Sequence, residues 1–314
     1  MTSIQPLLMW LLLRLVVVLI LVFAASRPSH AQAVPEGLTR DEIGVVFMPH
    51  GADSSWNAAM QSALAPLSEH YTTADAYSMA DTDKVEAALR ELEAKGMRAA
   101  VIVRIFSLES SFRAATEYMI GLGPDRDHAN HTTHTRSGGR GGHHMSPHRR
   151  IDTPLAVVTT GGMEAHPLLG QAMADRVRAL STHPEQETVI LTGHGAATDA
   201  DDAHWMDNLA TLARIIREDT GLPFRDIRMG TWREDWPEKR DSSVVRIRRL
   251  VEDATQDGGT ALVIPVRTIG QGPEDRWLEG LDYRLGEGFA PHPAFVKWVA
   301  SEIEEGVAEL LFDQ

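Results

Sequence analysis

Cysteine is absent from all 314 residues of the sequence. This absence excludes disulfide frameworks, thiolate metal sites, iron–sulfur clusters and cysteine nucleophiles. Any metal ligand must therefore be a histidine, a carboxylate or a backbone group. Basic residues are also scarce, since 30 Lys and Arg stand against 44 Asp and Glu and give a formal net charge of −14. A balance this acidic argues against a nucleic-acid-binding protein.

Long apolar runs are scarce as well, so the whole chain is not embedded in a membrane. Hydrophobic residues make up 43% of the sequence and charged residues 24%, which are close to globular averages and allow a buried core. The exception is the run LVVVLILVFAA at residues 15–25, which Arg14 precedes and Ala31-Gln32-Ala33 follows. This order is typical of a signal peptide and its cleavage site.

We therefore expect residues 1–33 to be a signal peptide and the protein to be periplasmic or secreted. The membrane is then contacted only through this segment. An uncleaved anchor is the alternative, because the apolar stretch counted from Leu7 is about long enough to span a bilayer.

Two short apolar runs, residues 43–48 and 188–192, end in similar turns, Pro49-His50-Gly51 and Gly193-His194-Gly195. Each predicts a buried strand that meets a tight turn. Ligand sites in open parallel sheets lie at the carboxyl ends of strands, so both histidines are candidate metal ligands or bases. Their occurrence in both halves favours this interpretation over that of solvated turn residues.

Further matching segments extend this internal repeat. They are the apolar runs 99–105 and 261–266, the helix-like segments 83–95 and 242–257, and the helix starts at His166-Pro167 and His292-Pro293. Repeated strand–helix alternation predicts an α/β fold with two similar domains, each a parallel sheet flanked by helices, and a cleft between them. We expect the domains at residues 34–187 and 188–314.

The first half also contains a segment of unusual composition, residues 123–150. It has almost no apolar residues, which predicts an inserted loop. Its six histidines are candidate metal ligands: His128, His131, His134, His143, His144 and His148. Such a segment binds Ni²⁺, Co²⁺, Cu²⁺ or Zn²⁺, whereas an unselected polar insertion is the alternative.

Other noticeable residues have a structural interpretation. His166 and His292 each precede a proline at a helix start, where an imidazole caps or packs. Asp199, Asp201 and Asp202 are expected in the first turn of a helix, where negative charge is favoured. Three tryptophans either line the pocket of a flat ligand or pack against helices: Trp205, Trp232 and Trp236.

Three segments carry a resemblance to a known family. Residues 189–205, VILTGHGAATDADDAHW, resemble the first strand and Gly-His-Gly turn of the class II chelatases, which include the sirohydrochlorin and anaerobic cobalt chelatases. Residues 230–237, GTWREDWP, are similar to that family's Gly-Thr segment, although one residue longer. Residues 45–57, VVFMPHGADSSWN, resemble the corresponding unit of the first half.

The resemblance implies two α/β domains around a cleft that holds a tetrapyrrole. It further implies that His194, Glu234 and His50 bind a divalent metal substrate, Co²⁺, Fe²⁺ or Ni²⁺, and accept the pyrrole protons without an organic cofactor. One departure concerns a further histidine that the family has after the third strand, because Gln271 stands near that position. Glutamine is a poor metal ligand and no base near neutral pH.

Two functions follow from these observations. The first is an exported sirohydrochlorin cobaltochelatase or ferrochelatase, a lyase, which the retained His50, His194 and Glu234 favour. The second is a non-catalytic periplasmic protein of the same fold that binds a metal or a tetrapyrrole, which Gln271 and the expected export favour. A third alternative, a periplasmic solute-binding protein of an unrelated family, agrees with the two-domain organisation. It explains neither the Gly-His-Gly turn nor the Gly-Thr segment with Glu234.

Overall fold

A computed structural model describes residues 33–123 and 148–312. These residues form two sheets, each of four parallel strands. The first has the order β2-β1-β3-β4, with β1 Ile43–Pro49, β2 Thr73–Asp75, β3 Ala99–Ile105 and β4 Ala156–Gly161. The second has the order β6-β5-β7-β8, with β5 Glu187–Gly193, β6 Asp226–Thr231, β7 Thr260–Pro265 and β8 Arg284–Leu285. The shared order confirms the repeat and the α/β class.

Helices connect the strands in both halves. In the first half they are α1 Ser54–Ser68, α2 Thr82–Ala94, α3 Arg113–Met119 and α4 Pro167–Leu180. In the second half they are α5 Asp199–Thr220, α6 Pro237–Ala254, α7 Glu274–Trp277 and α8 Pro293–Phe312. Short 3-10 turns occur at Arg40–Glu42, Pro184–Gln186 and Gln256–Gly258.

Most elements lie within two residues of their predicted bounds, but α6 does not. The sequence predicted a helix at residues 242–257, whereas α6 begins five residues earlier, at Pro237, and ends at Ala254. Proline suits the first position of a helix because its missing N–H has no intrahelical partner there. The polar first turn of α6 gave no apolar periodicity from which this start could be predicted.

The strands are buried because helices cover both faces of each sheet. All seven positions of β1 are buried, and alternate residues point to different apolar clusters. Val45 lies in a cluster with Met60 of α1. Val46, on the opposite face, lies in a cluster with Val85 of α2.

Helix α8 leaves its own half and packs on the first sheet. A Cβ built on Gly306 would lie 2.5 Å from a methyl group of Val101 in β3, so helix and strand are in close contact. The hydroxyl of Thr160 in β4 donates a hydrogen bond to the carbonyl of Glu302 at 3.0 Å. Residues 293–312, which the sequence repeat assigned to the second domain, therefore cover the sheet of the first.

The two sheets consequently share one apolar cluster. It contains Val45 of β1 and Val101 of β3 together with Val189 of β5 and Leu262 of β7. Amphipathicity predicts that a helix covers a sheet, but it does not indicate which sheet, so the exchange of α8 could not be predicted from the sequence.

The expected signal peptide and most of the histidine-rich segment lie outside the described residues. Of its six histidines, the structure describes only His148, which is half-buried. Within residues 33–123 and 148–312, no helix has the length and apolar character required to cross a membrane.

Candidate metal and ligand site

The two strand-end histidines have the same local geometry. Gly51 and Gly195 follow them with φ of +75° and +82°, a left-handed conformation that glycine adopts at little cost. Nδ1 of His50 lies 2.7 Å from the carbonyl oxygen of Gly51, and Nδ1 of His194 lies 3.0 Å from that of Gly195. Because a carbonyl only accepts, this contact assigns a proton to Nδ1 in both rings and leaves Nε2 as the ring atom for other partners.

His194 is partly open to solvent and has an aromatic and an acidic neighbour. Its side chain is 34% exposed, and its Nε2 lies 3.3 Å from Oδ2 of Asp235. The ring of Trp236 meets the imidazole edge to face at 5.8 Å. His50 is exposed and lies beside the ring of Phe106 at 6.4 Å.

Glu234 lies at the same sheet edge as His194, as the sequence predicted from the ends of two neighbouring strands. Its N–H is 3.4 Å from the carbonyl oxygen of His194. Its side chain, however, forms an ion pair with Arg267, which follows β7. The carboxylate that the structure brings to the imidazole of His194 is therefore that of Asp235.

The arrangement does not yet amount to a metal centre. No three His, Asp or Glu side chains form a group that could hold a metal ion within the part of the chain that the structure describes. A metal that uses His194 together with Glu234 would require a rearrangement of the Glu234 side chain away from Arg267.

Arg233 fixes the turn that carries His194. Its backbone has φ +54°, and its N–H donates to the carbonyl of His194 at 2.8 Å. Its guanidinium donates to the carbonyls of Ala196 and Ala197, each at 2.7 Å, and to Oδ1 of Asp199 at 2.6 Å. One buried arginine therefore ties the end of β6 to the His194 turn and the start of α5.

The aspartates beside this turn are helix-start charges, as predicted. Thr198 caps α5 by accepting from the N–H of Asp201, and Asp199 and Asp202 lie in the first turn. Hydrogen bonds from Lys239 and then Arg233 lower the pKa of Asp199 to about 2.

A buried carboxylate, Glu274, stabilises the carboxyl edge of the second sheet from the protein interior. Its Oε1 accepts from the hydroxyl of Thr192 at 2.8 Å and from the indole N–H of Trp232 at 2.9 Å, while its Oε2 accepts from the N–H of Gly272 at 2.7 Å. Trp232 and Trp205 are packed in the interior, so of the three tryptophans only Trp236 faces the candidate site.

The loop after β3 brings the first half against the His194 turn. Leu108 of that loop forms a small apolar cluster with Ala196 and Trp205. Glu164, which follows β4, accepts hydrogen bonds from His204 at 2.9 Å and from Asn208 of α5. These contacts fix the carboxyl edge of the first sheet relative to the carboxyl edge of the second.

His166 and His292 are helix caps, which confirms their structural interpretation. Nδ1 of His166 accepts from the N–H of Leu168, and Nδ1 of His292 from the N–H of Ala294, both at 3.1 Å. Burial lowers the pKa of both imidazoles, and Arg176 lowers that of His292 further.

Sequence reasoning missed three charged residues at the site: Arg233, Asp235 and Arg267. Arg233 and Asp235 come two and four residues after β6, and Arg267 comes two residues after β7, so their position near the carboxyl edge was available as a signal. Gln271, which stands near the expected histidine, is exposed, and its amide nitrogen is 3.5 Å from the carbonyl oxygen of Gly286.

No protein-family model and no curated protein sequence matches the chain. Solved structures do match. Sirohydrochlorin chelatase SirB from Bacillus subtilis with Fe³⁺ is similar with a TM-score of 0.57 and 13% identity, over 85% of this chain and 96% of that one. SirB from Bacillus subtilis subspecies spizizenii in complex with cobalt matches with a TM-score of 0.54 and 10% identity, over the same shares.

A third similar structure is DR2241 from Deinococcus radiodurans, a multi-domain protein with structural similarity to chelatases. Its TM-score is 0.51 and its identity 17%, over 83% of this chain and 54% of DR2241. The chain thus spans about half of that protein. The fold described here is a class II chelatase-like fold.

Proposed function

We propose that this chain, whose fold is that of the class II chelatases, inserts Co²⁺ or Fe²⁺ into a sirohydrochlorin-type tetrapyrrole. The observation that carries the proposal is the repeated strand-end histidine. His50 and His194 occupy equivalent positions in the two halves, and Nδ1 of each lies against the carbonyl oxygen of the following glycine. The SirB structures with Fe³⁺ and with cobalt share this fold, which supports the choice of metal.

The chemistry of insertion fits the residues at the edge. A tetrapyrrole loses two N–H protons when one divalent ion enters, so the reaction needs metal ligands that release the ion and groups that accept two protons. Neutral imidazole binds Co²⁺ and Fe²⁺. We assign metal delivery to His194 with His50, and proton acceptance to Glu234 and Asp235.

A non-catalytic protein that holds a metal or tetrapyrrole is the second candidate. Two observations favour it: Gln271 stands near the expected histidine, and the side chain of Glu234 is paired with Arg267. Such a protein would bind the same ligands without turnover.

The test is anaerobic incubation of the purified protein with sirohydrochlorin and Co²⁺, followed by absorbance. We expect the cobalt product to form faster than in a matched solution without protein. Equal rates, together with tight binding of the ring, would support the binding protein and reject the enzyme.

We also propose export, because residues 15–25 form an apolar run followed by Ala31-Gln32-Ala33. Mass spectrometry of the protein from its native host should give an amino terminus near Gln32 or Val34. An intact Met1 on soluble cytoplasmic protein would reject export.

A further inference from the structure

We propose that Arg267 binds a carboxylate side chain of the ligand and thereby releases Glu234 to act on the metal or the proton. This inference rests on the proposed function for the identity of the ligand, a flat ring that bears several carboxylates. It assigns the site a second recognition element beside the histidines.

The position of Arg267 places its guanidinium at the candidate site. It comes two residues after β7, and the preceding residue, Val266, donates its N–H to the carbonyl of Thr192 in β5 at 2.8 Å. Since His194 follows β5 by one residue, the two residues share the carboxyl edge of the second sheet. Ligands of open parallel sheets enter at this edge.

The guanidinium has unused hydrogen-bonding capacity. Its Nε is buried and lacks a hydrogen-bond partner among the residues that the structure describes, whereas its Nη2 is in contact with the carboxylate of Glu234. A buried donor without an acceptor is unfavourable, so an oxyanion that reached Nε and took the place of Glu234 at Nη2 would be stabilised.

The second carboxylate near Arg267 is already occupied. Glu274 accepts from Thr192, Trp232 and Gly272. Its three neutral donors hold it in the interior, so the Nε donor of Arg267 is left for a group from outside.

The geometry of the guanidinium also suits a carboxylate. The two oxygens of a carboxylate match the parallel N–H groups of a guanidinium, and this pairing is stronger than a neutral hydrogen bond. A Cβ built on Gly272 would lie 2.2 Å from Nε of Arg267. Gly272 therefore lies directly against the guanidinium, and a side chain at this position would displace it.

Binding of the ligand is coupled to binding of the metal, because Glu234 pairs either with Arg267 or with the metal. Without a ligand, Glu234 is paired with Arg267, so its carboxylate is not available to a metal at His194. When a ligand carboxylate takes the place of Glu234, the Glu234 side chain, whose backbone adjoins His194, becomes available. Ring and metal then each raise the affinity of the other by the same factor.

The test uses zinc uroporphyrin, an octacarboxylate ring that already holds a metal, and a cationic zinc porphyrin without carboxylates. We expect Arg267→Gln to weaken zinc uroporphyrin binding about tenfold or more, because a charged hydrogen-bonding partner is lost. Glu234→Gln should strengthen it, because the competing carboxylate is gone. Neither change should affect the cationic ring by more than the control Arg214→Gln, which removes an exposed positive charge on α5.

Co²⁺ titrations supply a second readout, with the six histidines of residues 123–150 changed to Asn in every protein compared. Without ring, Arg267→Gln should bind Co²⁺ several-fold more tightly than its parent, since Glu234 is released. Zinc uroporphyrin should tighten Co²⁺ binding in the parent and not in Arg267→Gln.

Unchanged ring binding in Arg267→Gln, or weaker ring binding in Glu234→Gln, would overturn the inference. If Arg267→Gln fails to fold, Glu234→Gln still decides, because damage to the site would weaken binding and the inference requires it to tighten. Absence of metal insertion in a protein that shows these shifts would reject the proposed enzyme and leave the role of Arg267 intact.

Discussion

At the scale of single residues, the turn motifs were predictable and the directions of their side chains were not. The sequence placed His50 and His194 at strand ends with a glycine after each, and the structure confirms that placement. It also paired His194 with Glu234, yet Asp235 is the residue beside the imidazole. Side-chain direction in a tight turn depends on backbone torsions such as the φ of +54° at Arg233, which spacing does not reveal.

The role of Arg233 leads to a stability prediction. We expect Arg233→Gln to lower the free energy of unfolding by about 2 to 3 kcal/mol, because it leaves the carbonyls of Ala196 and Ala197 without a charged donor in a buried site. Urea unfolding measures the change. Arg240→Gln is the matched control, since Arg240 makes a partly exposed ion pair with Asp241 and should cost at most about 1 kcal/mol. Equal losses in both variants would contradict the assigned role.

At the scale of elements, the strands and most helices follow from burial pattern and from proline at helix starts. The His-Pro pairs show how one residue type serves two purposes in this chain. His166 and His292 use Nδ1 as an acceptor for a helix N–H, whereas His50 and His194 use it as a donor to a carbonyl. The residue that follows, Pro or Gly, was the signal that separated the two uses.

The cap of α4 predicts a pH dependence. Burial lowers the pKa of His166, so the unfolded state binds more protons below the ordinary histidine pKa of about 6.5, and the neutral cap loses its stabilising effect as pH falls through this range. We expect His166→Asn, which keeps an acceptor that does not titrate, to reduce the difference in unfolding free energy between pH 7.5 and pH 5.5. His70→Asn, at an exposed position, is the control and should leave that difference unchanged. An unchanged difference in His166→Asn would show that the cap does not contribute.

At the scale of the whole molecule, the sequence predicted two similar halves, and the structure adds that they are interlocked. Helix α8 of the second half covers β3 and β4, and one apolar cluster runs through both sheets. Internal similarity of sequence reports the order of elements along the chain. It carries no information about which of two equivalent sheets a terminal helix covers.

Interlocking predicts that damage to α8 destabilises both halves together. We expect Gly306→Val to lower stability by about 1 to 3 kcal/mol, because the added side chain meets Val101 where a Cβ alone would lie at 2.5 Å. Glu305→Val introduces the same side chain at an exposed position of α8 and should have a smaller effect. Circular dichroism and tryptophan fluorescence should report one shared transition in each protein. Two separate transitions would contradict a common core.

The central claim is that His194 binds the metal ion that is inserted into a tetrapyrrole, and one measurement tests it most directly. The initial rate of cobalt insertion into sirohydrochlorin is compared anaerobically for the unchanged protein, His194→Ala and His166→Asn. The account predicts that His194→Ala slows insertion at least about tenfold, through loss of a metal ligand, while His166→Asn keeps the full rate. Equal rates for His194→Ala and the unchanged protein would contradict it, as would an unchanged protein no faster than buffer.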